Sequence, residues 1–356
     1  MAKSRSTIVI ALLAALAATT ACCSEALPAS PPPIGATATP IDVLDHERPW
    51  LTDVPGGVKA LRGKVVVVNF WTWSCINSLR ALPYLRGWNA HYKDKGLVVV
   101  GVHAPEFQFE HDPAKARLAF RQLGVDYPNV QDNDYAVWQQ FANEGWPSLY
   151  IIDAKGHIRS YRIGEGEYAQ SEQVIRQLLT EAGQNLSDLP SATISATGAQ
   201  AQADWPDLGS GEAYLGHAKA EGFQSPGGLR ANKGWIYEAA TDLPLNSWDL
   251  SGSWTAGREF ITLDNAGGTL RDRFHARDVH LVLGGAVDGA PVRFRVAIDG
   301  HAPGADHGTD TDADGRGEVR EDRLYQLVRQ TGAITDHTVS ITFERAGIRA
   351  YVFTFG

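Results

Sequence analysis

Cys75 stands in the segment Trp71-Thr72-Trp73-Ser74-Cys75-Ile76-Asn77-Ser78, directly after the apolar run Val65–Phe70. A continuous apolar run of that length reads as a buried strand, so the thiol falls where a strand hands over to a helix. Unpaired N–H groups and the dipole at a helix start favour thiolate over thiol, which would make Cys75 a nucleophile. At the position where a dithiol redox motif carries its second cysteine, this chain has Ser78. A Cys-x-x-Cys pair makes and breaks its own disulfide. Cys75 alone can form only a mixed disulfide or a sulfenic acid, which another thiol must resolve. The Ser78 hydroxyl is placed to hydrogen-bond the thiolate and lower its pKa.

Other residues agree with such a site. Pro83 follows Cys75 on the same helix, far enough on to bend it without disturbing the turn that holds the thiol. Gly145-Trp146-Pro147-Ser148 precedes a later strand, the place for a cis-proline that packs against the thiol and leaves a backbone edge open to a peptide. Trp71 and Trp73 flank the motif and are placed to shield the sulfur. His103 and Glu106 follow the second strand, and either is placed to move protons for Cys75. Thr72 has the Thr-x-x-Cys spacing that positions a peroxide beside a thiolate, but Val68 stands where that pattern carries proline.

Asp310-x-Asp312-x-Asp314-Gly315 with Glu321 matches a twelve-residue calcium loop, including its glycine and terminal carboxylate. Val292–Ile298 reads as a strand where such a loop needs an entering helix. An acidic hairpin tip is the competing explanation, and beyond calcium the chain calls for no cofactor.

The elements that must position these groups divide the 356 residues, of which 44% are hydrophobic and 21% charged, into two cores. Residues 1–21 read as a signal peptide, with Lys3 and Arg5 before the apolar Thr7–Ala18 and small residues before Cys22. Ala21-Cys22 is also a lipoprotein-like processing site, so anchoring through Cys22 and simple cleavage are both open. Residues 22–41 form a Pro/Ala-rich tether. In residues 42–183, Val65–Asn69, Leu97–Val102 and Leu149–Asp153 read as strands separated by helices, which implies a mostly parallel sheet covered on both faces. Asp153–Gly156 turns into an antiparallel edge strand, Ile158–Ile163, and Ser171–Ala182 is a closing helix. Residues 184–204 are a small, polar linker. Residues 205–356 carry short alternating runs broken by Gly, Pro and Asp, the texture of an all-β sandwich.

A formal net charge of −9 argues against nucleic acid as a partner. Cys22, Cys23 and Cys75 are the only cysteines, so the folded part holds one thiol in what reads as an exported, oxidising setting.

Residues 42–183 resemble the thioredoxin-like domain of the TlpA and DipZ group of exported thiol-disulfide proteins, whose motif Trp-Thr-Tyr-Ser-Cys-Ile-Asn-Cys is similar to Trp71–Ser78. The likeness continues through Gly101-Val102-His103-Ala104-Pro105-Glu106-Phe107 and Gly145-Trp146-Pro147. It extends into Tyr214-Leu215-Gly216, Ser225-Pro226-Gly227-Gly228-Leu229 and Ala350-Tyr351-Val352-Phe353-Thr354-Phe355-Gly356. The resemblance implies an α/β thioredoxin fold, with a central mixed sheet and helices on both faces, followed by a β-sandwich similar to carbohydrate-binding modules. It implies Cys75 as nucleophile and Pro147 as cis-proline, while Ser78 departs from the resolving cysteine. The group's membrane electron-transfer helices have no counterpart here, so electrons would come from a separate membrane donor.

Two functions compete. One is a periplasmic or otherwise extracytoplasmic redoxin acting on protein thiols and disulfides, or with a small-molecule thiol, through Cys75. The other is a retired catalyst that binds extended peptides beside Pro147 while the sandwich docks to glycan. A one-cysteine peroxidase is a narrower reading, as is Cys23 serving as a tethered resolving thiol.

Overall fold

The computed structural model describes residues 34–35, 44, 49–52, 57–286 and 288–356. The signal, Cys22, Cys23 and most of the tether lie outside the described residues.

The N-terminal sheet is built on β1 (Val65–Trp71), which pairs in parallel with β2 (Leu97–His103), itself parallel to β3 (Asn129–Gln131). On its other side β1 runs antiparallel to β4 (Ser148–Ile152), and β4 to the edge strand β5 (Ile158–Ile163). The order β3-β2-β1-β4-β5 is therefore mixed. The expectation of a mostly parallel sheet fails at β4, because the chain re-enters the sheet at the end where β1, β2 and β3 finish, with Ser148 opposite Phe70. Side chains of β1 alternate between two cores. Val65, Val67 and Trp71 pack with helix α1 (Ile76–Tyr92), while Val66, Val68 and Phe70 pack with Val137 and Phe141 beneath. Helix α1 buries Ile76, Leu79, Leu82, Leu85, Trp88 and Tyr92, spaced three and four apart, and carries Pro83. Helix α2 (Pro113–Gln122) begins with Asp112 accepting the Ala114 N–H at 2.8 Å. Helices α3 (Ala136–Gln140) and α4 (Tyr168–Glu181) complete the covering. This is the thioredoxin fold.

The polar segment 184–204 lies along that domain. Arg176 on α4 donates to the carbonyls of Leu189 and Pro190, and Arg86 on α1 donates to Gln200.

The C-terminal region is antiparallel: β6 (Ala213–Tyr214), β7 (Gly234–Tyr237), β8 (Ser247–Ala256), β9 (Ile261–Leu263), β10 (Thr269–His275), β11 (Asp278–Gly284), β12 (Val292–Ile298), β13 (Arg316–Val319), β14 (Arg323–Arg329), β15 (Asp336–Phe343) and β16 (Arg349–Phe355). Strand β8 belongs to both layers. Its Ser247–Ser251 half pairs with β10, and its Gly252–Ala256 half with β7 and β9. At the corner, Gly252 has φ +96°, and a Cβ there would meet Gly268 Cα at 2.9 Å, so the bend requires glycine.

The two layers differ outside. Strand β10 alternates buried and partly buried, whereas β11 is buried at every position. The reason is that Val282, Leu324, Tyr351 and Val352 point away from the sandwich into the same core as α1. Buried Arg80 on α1 fastens this contact, pairing with Glu165 at 3.1 Å and donating to the Phe355 carbonyl at 3.1 Å. One sandwich layer is thus laid on the thioredoxin domain.

Candidate functional site

Cys75 is the N-cap of α1, with extended backbone at φ −81° and ψ 119°. Its sulfur is 4.0 Å from the carbonyl oxygen of Trp146, and the Trp146–Pro147 peptide bond is cis. Strand β4 starts at the next residue, so the fold brings Pro147 from 72 residues away in sequence to the thiol's side. Ser78, fully buried one turn into α1, turns both its N–H and its hydroxyl towards the Cys75 sulfur. Its oxygen also accepts the Thr72 N–H at 3.4 Å.

The thiolate expected from the helix start is not favoured in this arrangement. Cys75 is only 7% exposed, and burial pushes its thiol well above the usual value, with the charges of Glu106 and Glu212 pushing the same way. The Ser78 hydrogen bonds pull down but do not compensate. A helix terminus offers about 0.3–1 kcal/mol to a charge, while loss of hydration around a buried ion costs several. Glu212 and its neighbour Tyr214 come from β6 and its approach, so the docked sandwich supplies part of this effect.

Glu106 sits where two domains meet. Its carboxylate accepts the Tyr214 hydroxyl at 2.5 Å, and burial raises it to about 7, opposed by that hydrogen bond and assisted by Glu110 and Glu212. Around it, Phe107 and Phe109 lie against Tyr351 with ring centroids 5.0 and 5.1 Å apart, and the Gln108 N–H donates to Glu259 at 3.1 Å.

Beneath the thiol lies a carboxylate that local sequence did not single out. Glu110 is fully buried and accepts from the Thr72 hydroxyl, from the Ser74 hydroxyl at 2.7 Å, and from the N–H groups of Glu106 and Phe107 at 2.6 and 3.1 Å. It ties the turn carrying Cys75 to the loop carrying Glu106. Its only sequence signal is a capping-box spacing, an acid three residues after Phe107.

The remaining expected residues scatter. His103 is buried under Trp73, ring stacked on ring at 4.7 Å, and burial holds it neutral with its pKa lowered to about 3. Thr72 spends its hydroxyl on Glu110 and lies 3.4 Å from His103, so it is not aimed at a peroxide beside the sulfur. Trp71 is a core residue, donating to Asn129 at 2.9 Å and lying on Phe120. Trp73 donates at 3.3 Å to the Asp322 carbonyl of the sandwich, and Trp146 at 3.0 Å to Ala104.

The calcium loop is not assembled. Asp310 pairs with Arg323 at 2.7 Å, Asp312 accepts the Asp314 and Arg316 N–H groups at 3.0 and 2.8 Å, and Asp314 pairs with Arg316. Glu321 turns to Gln122 of α2, at 3.2 Å. Asp310, Asp312 and Asp314 lie in the connection from β12 to β13, where carboxylates close turns and meet arginines, and Glu321 lies beyond β13 in the turn to β14. Among the described residues no group of three or more His, Cys, Asp or Glu side chains is placed to hold a metal, and no helix is long and apolar enough to cross a membrane.

Fold and site define a thioredoxin-fold domain joined to a β-sandwich, with Cys75, the one cysteine among the described residues, at the head of α1. Residues 53–161 match the AhpC/TSA family, and residues 210–356 match the thioredoxin-like C-terminal domain. The chain is similar to Protein DipZ of Mycobacterium bovis and of Mycobacterium tuberculosis, in each case 37% identical over 66% of this chain. It spans about a third of those relatives' length, 34% of each. It is also 28% identical to the thiol-disulfide oxidoreductase YkuV of Bacillus subtilis, over 40% of this chain and 95% of that one. A solved structure of a putative thiol:disulfide interchange protein DsbE from Chlorobium tepidum aligns at 21% identity and TM-score 0.34, covering 42% of this chain and 99% of that one.

Proposed function

We propose that the chain is an exported thiol-disulfide protein that works through Cys75 alone, resting as a shielded thiol. The observation that carries this reading is the Cys75 sulfur at the head of α1, 4.0 Å from the Trp146 carbonyl that precedes Pro147. An extended peptide lying along that edge presents its disulfide to the sulfur. Cys75 loses its proton, to Glu106 when that group is ionised, and the thiolate attacks one sulfur of the substrate disulfide. A new sulfur–sulfur bond forms as the old one breaks, and the departing thiolate takes up a proton. An external thiol, from a protein or a small molecule, then attacks the mixed disulfide and returns Cys75 to the thiol. A separate membrane protein is the proposed electron source, Cys22 the proposed lipid anchor, and glycan a proposed ligand of the sandwich.

The slight exposure of Cys75 favours a second reading, in which the domain only binds peptides beside Pro147. An aromatic disulfide such as 5,5′-dithiobis(2-nitrobenzoate) separates the two. Peptide mapping of the folded full chain is expected to find one adduct on Cys75, released by glutathione. Labelling of Cys75 only after denaturation would leave the binding role.

A further inference from the structure

On β10, Leu270 and Phe274 fill the sandwich core, and the inward position between them is held by Asp272. Asp272 is 1% exposed, and neither of its carboxylate oxygens has a hydrogen-bond partner. Its cross-strand neighbours, Trp248 and Val339, offer it no charge, and the Trp248 indole N–H goes instead to the Glu221 carbonyl at 2.8 Å. A buried carboxyl without donors is costly to a fold, and such groups are usually paired or hydrogen-bonded.

Asp272 lines a cavity of about 440 Å³ that it shares with Glu212, Tyr214, Lys219, Glu221 and Phe355. Glu212, Lys219 and Glu221 are exposed, so the cavity opens to solvent through a rim with two acids and one base. Tyr214 and Phe355 add aromatic surface. The Tyr214 ring already accepts a cation on one face, with Lys219 Nζ 4.4 Å from its centroid.

We propose that this cavity is a binding site for a guanidinium group, with Asp272 as its anchor. Two adjacent oxygens without donors match the planar fork of a guanidinium, which supplies two parallel N–H groups and stacks on aromatic rings. The source is an arginine side chain in a peptide or free arginine. Burial alone raises Asp272 to about 8, so at neutral pH the empty site holds a neutral acid and a bound guanidinium displaces its proton. Glu212, Lys219 and Glu221 are the other charged groups lining the cavity. Glu212 and Tyr214 also face the Cys75 site, Glu212 through its charge on the thiol and Tyr214 through its hydrogen bond to Glu106, while binding at Asp272 needs no reaction at the thiol.

Calorimetry on the full chain at pH 8 tests it with Nα-acetyl-arginine amide, free arginine, Nα-acetyl-citrulline amide and a neutral disaccharide. Saturable binding of an arginine ligand is expected, at least about tenfold tighter than the citrulline isostere and weakened at least about tenfold by Asp272→Asn. Gly211→Leu, at a cavity position where a Cβ meets nothing within 4 Å, should give the same loss by filling the space, and decides the matter if the Asn variant does not fold. Tighter binding of the amide than of free arginine assigns the site to peptides, and the reverse assigns it to the amino acid. No binding of either, equal binding of citrulline, affinity unchanged by the variants, or disaccharide binding in place of arginine would overturn the proposal.

Discussion

The phenol of Tyr214 donates a 2.5 Å hydrogen bond to the carboxylate of Glu106, joining the first strand of the sandwich to the loop beside Cys75. The two residues are 108 apart in sequence, and the segment that carries Tyr214 also brings the charge of Glu212 to bear on the Cys75 thiol of the other domain. Reactivity at Cys75 is therefore a property of both domains.

Glu106→Gln removes a negative charge felt at the Cys75 sulfur. The midpoint of the iodoacetamide alkylation curve for Cys75 should fall by about one pH unit. Alkylation followed by mass spectrometry of the Cys75 peptide gives that midpoint, and an unchanged or higher value contradicts the electrostatic account.

Ser78→Cys restores a second thiol on the inner turn of α1, at a site whose N–H and hydroxyl already face the sulfur. Dithiothreitol-driven reduction of insulin should appear in the variant at a rate at least about tenfold above the natural chain. A variant that stays inert while Cys75 remains accessible to labelling would mean that the two positions cannot pair.

Glu110→Ala strips the acceptor from two hydroxyls and three backbone N–H groups in a dry setting. Denaturant titration should show a loss of about 3 kcal/mol or more. Glu110→Gln, which keeps the shape, should lose less. Equal stability of the Ala variant would remove Glu110 as the tie between the two loops.

Asp272 makes stability depend on pH. Its folded value of about 8 lies above the ordinary 3.8, so its favourable contribution is full below 3.8 and is lost as pH rises through about 8. Relative to the natural chain, Asp272→Asn should therefore gain melting temperature between pH 5 and pH 8.5. A constant difference across that range contradicts the assignment.

Much of the thioredoxin domain was legible because β1, β2 and β4 are mostly apolar runs buried on both faces, interrupted only by residues such as Asn69 and Ser148. The three-residue β3 escaped, being too short for a periodic signal. The neighbourhood of Cys75 and Pro147 was readable from motif order. Its charge state was not, since the charge of Glu212 arrives from the other domain and burial pushes the thiol up. Asp310, Asp312, Asp314 and Glu321 matched a spacing pattern, but spacing does not say where side chains point, and Glu321 faces α2.

Strand β8 runs through both layers of the sandwich and turns its corner at Gly252. One ribbon cannot leave one layer without dragging the other, so the layers should melt together. Because the outer face of β11 and β16 is packed on α1, loosening at that distant corner would be transmitted to the ground on which the thiol stands.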